Sequence, residues 1–218
     1  MNSITEYIFL CLSCYVIGSI PFAYLIVKRR HRFDIREKGT GNIGAMNSYD
    51  STESKSTGVY VLILDLIKGL IPAYLLINYT HYNMNQLLLL FILLVAGHNF
   101  SMFMKFKGGR GLSTSAGEML IVCFPMVLLW DIFYFAVYKF IYKNVHVATI
   151  TASAVLPLPV IFLFPLFKKM TFLPVDKQNS FTLEFLFAFS SSLAILILLK
   201  HINPVFDLIR EHNSKENK

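Results

Sequence analysis

Two loops rich in glycine contain the residues of this 218-residue chain whose types and spacing could do chemistry. The first loop spans 34–47 (DIREKGTGNIGAMN), and the second spans 105–111 (KFKGGRG). Glycine permits positive φ angles and a close approach to a ligand, and consecutive backbone N–H groups in such turns can form an anion-binding nest. Because basic side chains flank both loops, each predicts a phosphate site. The alternative, for either loop alone, is an ordinary basic connector between membrane helices.

The apolar segments around these loops predict the fold. Of all residues, 55% are hydrophobic and only 15% are charged, whereas about a quarter of a typical soluble domain is charged. The pattern favours an all-α integral membrane bundle of about seven transmembrane helices, in a single domain covering 1–218. The apolar runs lie at 4–27, 58–77, 86–104, 112–124, 126–142, 147–167 and 182–199. Because the run 112–124 is too short to cross the bilayer, we expect a half-helix or a short tilted helix there.

The basic residues predict the orientation and argue against one class of partner. The net charge is +7, from 20 Lys and Arg against 13 Asp and Glu. Most of the basic residues lie at the ends of apolar runs, which fits cytoplasmic flanks near anionic lipid better than a nucleic-acid partner. Their placement favours an N-terminus outside and both glycine-rich loops in the cytoplasm. Membrane lipid is therefore an expected partner, and the oligomeric state stays open.

Polar residues inside the apolar runs are further candidates. Asp65 and Lys68 lie three positions apart and share a helix face, so we expect either a structural ion pair or the wall of a wet cavity. His98 lies near the end of the third run and could bind a phosphate, assist proton transfer or only brace the second loop. Glu118 is expected to be a satisfied polar residue that faces the cavity.

Several motifs, taken in order, resemble one family of enzymes. They are 18–21 (GSIP), 34–36 (DIR), 39–47 (GTGNIGAMN), 65–69 (DLIKG), 97–111 (GHNFSMFMKFKGGRG) and Lys200-His201. Their order and spacing, over nearly the whole chain, resemble those of the acyl-phosphate-dependent glycerol-3-phosphate acyltransferases of the PlsY type. The resemblance implies transfer of an acyl group from acyl phosphate to the 1-hydroxyl of glycerol-3-phosphate, which gives lysophosphatidic acid. It also implies a bacterial cytoplasmic membrane, no cofactor and no metal.

The same resemblance implies roles for individual residues. Thr40, His98 and Lys107 are the candidate catalytic residues. The candidate contacts to substrate phosphate are Gly39, Gly41, Asn42, Lys105, Gly108, Gly109, Arg110 and Gly111. Further candidates are Arg36, Asp65, Lys68, His201 and Asn203. Thr40 stands where the family usually has Ser and keeps the hydroxyl, whereas Arg110 replaces a Lys and offers a planar fork instead of a point charge.

Two departures from the family pattern leave alternatives open. Asp50 occupies the position of a phosphate-binding Arg, and a carboxylate beside a phosphate costs about 1 kcal/mol when solvated and several when dry. The run 202–204 (INP) replaces an Arg, Glu, Asn run. Lys55 or Arg210 could replace the missing cation. The alternatives are an acyltransferase with another acceptor, a catalytically silent lipid-binding or regulatory protein and, last, a small transporter.

Overall fold

A computed structural model describes the backbone of residues 3–216 and the side chains of 4–202 and 204–206. Within that range the regular secondary structure is helical, as the composition predicts. The α-helices are α1 (Ser3–Ser19), α2 (Phe22–His31), α3 (Ala45–Thr52), α4 (Lys55–Tyr79), α5 (Met84–Asn99), α6 (Leu112–Cys123), α7 (Pro125–Ala136), α8 (Val145–Val155), α9 (Pro157–Met170), α10 (Val175–Gln178) and α11 (Leu183–Glu216). Short 3-10 turns occur at Ile35–Glu37 and Met102–Met104, and a π-turn at Val137–Ile141 extends α7.

The described residues include four helical segments that are long and apolar enough to cross a membrane. They are Ile4–His31, Lys55–Tyr79, Met84–Met104 and Leu183–Ile202, and α8 with α9 makes a fifth if that bent pair is one span. The prediction of about seven spans also counted α6 and α7, which have 12 residues each. At 1.5 Å per residue α6 reaches about 18 Å, and α7 together with the π-turn that ends at Ile141 reaches at most about 25 Å, against a hydrocarbon core of about 30 Å. The helical membrane bundle is confirmed, and the number of spans stays a prediction.

Prolines divide the long apolar runs. Proline lacks a backbone N–H and fixes φ, so it is accommodated in the first turn of a helix and interrupts one elsewhere. Pro21 separates α1 from α2, and Pro125 begins α7. The run 147–167, predicted as one span, is instead two helices bent by 57°. The break falls at Leu156 because Pro157 begins the second helix.

Close backbone contact between α4 and α6 fixes the height of the candidate site. A Cβ atom on Gly69 would collide with the carbonyl of Thr114, and one on Gly117 would collide with the carbonyl of Leu66. Small residues of this kind let membrane helices approach closely. Thr114 also donates its hydroxyl to the backbone carbonyl of Asp65, at 3.1 Å. The N-terminal turn of α6 is therefore held beside Asp65, in the middle of α4.

Candidate active site

Asn47, in the first turn of α3, organises the first glycine-rich loop. Its Oδ1 atom accepts hydrogen bonds from the Thr40 N–H at 2.9 Å and the Ser51 hydroxyl at 3.3 Å. Its Nδ2 atom donates to the carbonyls of Lys38 and Asn42, at 3.2 and 2.9 Å. The Asn47 side chain is buried, with only 2% of the residue exposed. One amide side chain thus holds the whole turn against α3.

Two backbone N–H groups of this loop are used within the protein, and two of its side chains line a cavity. Gly39 and Gly41 have positive φ angles of 57° and 67°, a conformation that glycine adopts without strain. The Gly41 N–H donates to a carbonyl three residues back, and the Thr40 N–H donates to Asn47. Both N–H groups therefore point to acceptors within the protein, whereas an anion-binding nest requires N–H groups that point to a ligand. Thr40 and Asn42 line the cavity described below, so the loop contributes side chains to that cavity.

The second loop is built on the end of α5. Gly108 donates its N–H to the carbonyl of Asn99 at 3.1 Å, and Gly109 donates to the carbonyl of His98 at 3.0 Å. A Cβ atom on Gly109 would overlap the His98 ring. Both N–H groups are thus used within the protein, and the phosphate contact predicted for Gly108 and Gly109 stays a prediction. Gly111, with φ of 85°, begins α6 without a side-chain cap.

A buried cluster of three ionisable side chains lies beneath this loop. Lys68 Nζ is 2.9 Å from Asp65 Oδ1, and His98 Nδ1 is 3.7 Å from the same oxygen. All three side chains are at most 6% exposed. Lys68 also donates to the carbonyl of Ile20, which ties α4 to the break between α1 and α2. The shared helix face predicted for Asp65 and Lys68 is confirmed.

A single cavity of about 950 Å³ joins the two loops to the interior of the bundle. The first loop and α3, α4, α6, α7, α8 and α11 all contribute to its wall. Along α11 the lining runs from His201 to Ser190, about 16 Å at 1.5 Å per residue. That depth is about half of a hydrocarbon core of about 30 Å. The deep part is lined mainly by apolar side chains, including Met119, Leu156 and Leu193.

Basic side chains cluster at the other end of the cavity. Arg110 Nη1 lies 3.5 Å from His146 Nδ1, and the rings of His146 and His201 are 5.8 Å apart. Partial burial lowers the pKa of the Arg110 guanidinium from its ordinary value, although arginine stays protonated in proteins. Lys55 and Lys143 line the same cavity. This end can therefore hold anionic groups.

The structure brings together about half of the predicted site residues. Those that line the cavity are Thr40, Asn42, Asp65, His98, Arg110, Gly111 and His201. Those outside the lining are Arg36, Gly39, Gly41, Lys68, Lys105, Lys107, Gly108 and Gly109. Lys105 and Lys107 are exposed, in a turn where Lys105 and Phe106 have positive φ angles of 53° and 61°. This turn directs both lysines to the surface, and the Asn203 side chain lies outside the described residues.

Arg36 is engaged elsewhere. Its guanidinium makes a bidentate contact with Asp34, with Nη2 at 2.5 Å from Oδ2, and lies over the ring of Tyr24. The Arg36 guanidinium holds the pKa of Asp34 at about 2, below its usual value. The pair stabilises the start of the first loop, and Arg36 does not reach the cavity lining.

Two features of the site were not anticipated from the sequence. His146 contacts Arg110 at the polar end of the cavity, yet it lies in no glycine-rich motif, so only its position at the start of α8 marks it.

Glu118 does not face the cavity, and neither carboxyl oxygen has a hydrogen-bond partner among the described residues. It lies near Cys14 of α1 and is fully buried. The expectation of a satisfied cavity residue is wrong because this side of α6 packs into the bundle.

The fold and the cavity define a class of protein: a helical membrane protein with a cationic site that opens into an apolar chamber between the helices. The family model described as "Glycerol-3-phosphate acyltransferase" matches residues 8–211, and the chain belongs to this family of acyltransferases.

Individual relatives match over most of their length. A glycerol-3-phosphate acyltransferase of Aster yellows witches'-broom phytoplasma is 32% identical, with 97% of each chain covered. One from Fusobacterium nucleatum is 34% identical over 94% of this chain and 93% of its own. The fold is similar to a crystal structure of PlsY, an integral membrane glycerol 3-phosphate acyltransferase, in its glycerol 3-phosphate form. That likeness has a TM-score of 0.74 and 27% identity, and covers 94% of this chain and 93% of that one. The lysophosphatidic acid form gives a TM-score of 0.72.

Proposed function

We propose that the chain transfers an acyl group from acyl phosphate to the 1-hydroxyl of glycerol-3-phosphate, giving lysophosphatidic acid and inorganic phosphate. The observation that carries the proposal is one cavity with a cationic end and an apolar end about half a bilayer deep. The names of the relatives and the ligand forms of PlsY support the acceptor and the product. An acceptor other than glycerol-3-phosphate is not favoured by them.

The reaction requires mainly that the two substrates be positioned correctly. Acyl phosphate is a mixed anhydride and is already activated, so the protein has to bring two anions together and orient a hydroxyl. The acceptor oxygen bonds to the acyl carbon, the bond from that carbon to the phosphate oxygen breaks, and phosphate leaves. The hydroxyl proton passes to a substrate phosphate or to His98, which lines the cavity.

Phosphate binding is assigned to the start of α6 and to Arg110. The first residues of α6 line the cavity, and its first N–H groups have no side-chain cap. Uncapped helix N-termini attract anions through these donors and through the helix dipole. The carbonyl of Ile43 lies beside Gly109, which brings the first loop, with Thr40 and Asn42, up to this position.

Asp50 occupies the position of a phosphate-binding Arg in the family pattern, and Lys55 is our candidate for the cation that replaces this Arg. Both residues line the cavity, Asp50 from α3 and Lys55 from the first position of α4. The turn between them reverses the chain at Glu53, which has a positive φ of 51°. The other candidate, Arg210, has a side chain outside the described residues.

We also propose that the protein lies in a bacterial cytoplasmic membrane, with its N-terminus outside and the cavity mouth facing the cytoplasm. The clustering of basic residues near both glycine-rich loops supports this orientation. Labelling of single cysteines introduced at Lys38 and Lys107 from the outside would test it, since both residues are exposed. Reaction of either cysteine with an impermeant reagent in intact cells would contradict the orientation.

Purified protein in detergent, given palmitoyl phosphate and labelled glycerol-3-phosphate, should form lysophosphatidic acid. Arg110→Ala should lower kcat/KM by about 10- to 100-fold, because a hydrogen bond to a charged group contributes about 1.5–3 kcal/mol. Arg110→Lys should lower kcat/KM by a smaller factor than Arg110→Ala. Lys169→Ala is a matched control, since Lys169 is an exposed cation at the end of α9, outside the cavity lining. No product from folded wild-type protein would contradict the proposal.

A further inference from the structure

Two hydroxyl groups in the cavity wall have no partner within the protein. Ser115 on α6 and Thr149 on α8 both line the cavity, and each residue is 1% exposed. Neither Ser115 Oγ nor Thr149 Oγ1 has a hydrogen-bond partner among the described residues. Buried hydroxyls are normally bonded, because a lost hydrogen bond away from water is unfavourable. This pair therefore requires an explanation.

Other hydroxyls of the same wall are bonded internally. Ser153 accepts a hydrogen bond from Trp130 Nε1 at 3.0 Å, and Ser190 donates to the carbonyl of Phe187 at 3.0 Å. A helical Ser or Thr can also bond to the carbonyl three or four residues back. Ser115 and Thr149 do neither, so their donors are available to a ligand in the cavity.

The two hydroxyls lie at matching depths. Ser115 is four residues beyond Gly111, which begins α6, and Thr149 is three residues beyond His146, near the start of α8. At 1.5 Å per residue, each is about 5 Å deeper than the residue at the polar end. One turn deeper on α6, Met119 begins the apolar part of the wall. The hydroxyls therefore mark the boundary between the phosphate end and the apolar end.

An acyl phosphate has its carbonyl group at that boundary. Its phosphate occupies the cationic end and its hydrocarbon chain the apolar end, so its carbonyl lies between them. We propose, building on the proposed function, that the Ser115 and Thr149 hydroxyls donate hydrogen bonds to the acyl carbonyl oxygen of the donor and stabilise the charge that it gains.

The step balances without any further reactant. When the acceptor hydroxyl oxygen bonds to the acyl carbon, the carbonyl electron pair moves onto the oxygen that these hydroxyls hold. When that pair returns, the bond to the phosphate oxygen breaks and phosphate leaves, while the acceptor proton moves to a phosphate oxygen or to His98. Donors placed in advance at a developing oxyanion in a dry site are a large source of rate enhancement.

The test uses Ser115→Ala, Thr149→Val and the double variant in the full-length protein. Removal of one donor should lower kcat by about 100-fold, with the KM for acyl phosphate within about threefold. The double variant should lose less than the product of the two single effects, because both donors act on one oxygen. Thr149→Ser keeps a hydroxyl and should retain most of the activity. Thr171→Val is the matched control, because the Thr171 hydroxyl lies outside the cavity lining and donates to the carbonyl of Phe167, and its kcat should stay near that of the wild type.

Stability provides the second readout. Because neither hydroxyl is bonded within the protein, Thr149→Val and Ser115→Ala should unfold at or above the temperature of the wild type, so a low kcat will not reflect unfolding. If the wild type is active and both single variants keep its kcat, or differ from it only by a raised KM, this inference is overturned and the proposed function stands. A wild type that makes no lysophosphatidic acid would overturn both.

Discussion

His98 Nδ1 lies 3.7 Å from Asp65 Oδ1, and the same carboxylate oxygen lies 2.9 Å from Lys68 Nζ. One buried carboxylate thus connects a cavity histidine to a lysine that is bonded to the carbonyl of Ile20. The carboxylate lies beside one edge of the His98 ring, and the Gly109 N–H donates to the His98 carbonyl at the end of α5. Asp65 therefore pairs with Lys68 and places a carboxylate close to His98.

Removal of Asp65 should destabilise the protein more than removal of both members of the ion pair. Asp65→Asn leaves Lys68 as a buried charge without its partner, which should lower the free energy of unfolding by about 3–5 kcal/mol. The double variant Asp65→Asn, Lys68→Met removes both charges and should recover much of that loss. Denaturant unfolding in detergent measures both. A single variant as stable as the wild type would contradict the assigned pairing.

Asn47→Asp should disorder the first loop. The substitution conserves shape but turns the Nδ2 donor toward Lys38 and Asn42 into a second acceptor, facing their carbonyls. Each unsatisfied buried group costs about 1–3 kcal/mol. We expect faster amide hydrogen exchange over 38–42 and a fall of at least about tenfold in kcat/KM. Ser51→Ala removes only the 3.3 Å contact to Asn47 and serves as the control.

A loop that keeps its exchange protection in Asn47→Asp would show that Asn47 does not hold it. A loss of exchange protection in Ser51→Ala as large as that in Asn47→Asp would also show that the Asn47 Nδ2 donor does not hold the loop, because Ser51→Ala leaves that donor in place.

Lys55→Met should raise the KM for glycerol-3-phosphate by about tenfold, because one ion pair to a phosphate is lost. The variant Asp50→Arg, combined with Lys55→Met, should restore the KM, since a cation returns to the same cavity wall. Steady-state kinetics at fixed ionic strength measure both. The proposed role of Lys55 fails if Lys55→Met leaves the KM unchanged, or if Asp50→Arg gives no recovery.

Arg36→Gln should change acid stability and leave activity near neutral pH unchanged. In the wild type the pKa of Asp34 is lowered from 3.8 to about 2. A lowered carboxyl pKa stabilises the folded state above the ordinary pKa, and this contribution disappears as the pH falls through about 2. The variant should therefore be less stable than the wild type above pH 3.8, with a difference that shrinks toward pH 2. A large loss of kcat at pH 7 would instead place Arg36 in the site.

The sequence predicts the parts of this site that belong to one segment. Asp65 and Lys68 share a face because their spacing matches a helical turn, and His98 is expected beside the second loop because the two are contiguous. Helical bends were harder to anticipate, since the break at Pro157 depends on whether the neighbouring helices accommodate a continuous span.

The parts of the site that the sequence does not predict are formed where segments far apart in the chain pack together. His146, Ser115 and Thr149 lie on two helices without a shared motif, and only the packed bundle brings them to one cavity. Lys105 and Lys107 resemble phosphate ligands in the sequence, but the left-handed backbone at Lys105 and Phe106 turns them outward. Positive φ at residues other than glycine is uncommon, so sequence gave little indication of that turn.

We propose that one chamber holds both the phosphate and the acyl chain of the donor, and a substitution that fills its apolar part is the decisive test. Ala194 lies on α11 in the apolar part of the lining, away from the cationic end. Ala194→Phe should fill that part, so the ratio of kcat/KM for palmitoyl phosphate to that for butyryl phosphate should fall at least about tenfold, because overpacking a filled site is unfavourable. An unchanged ratio in folded, active protein would contradict the shared cavity.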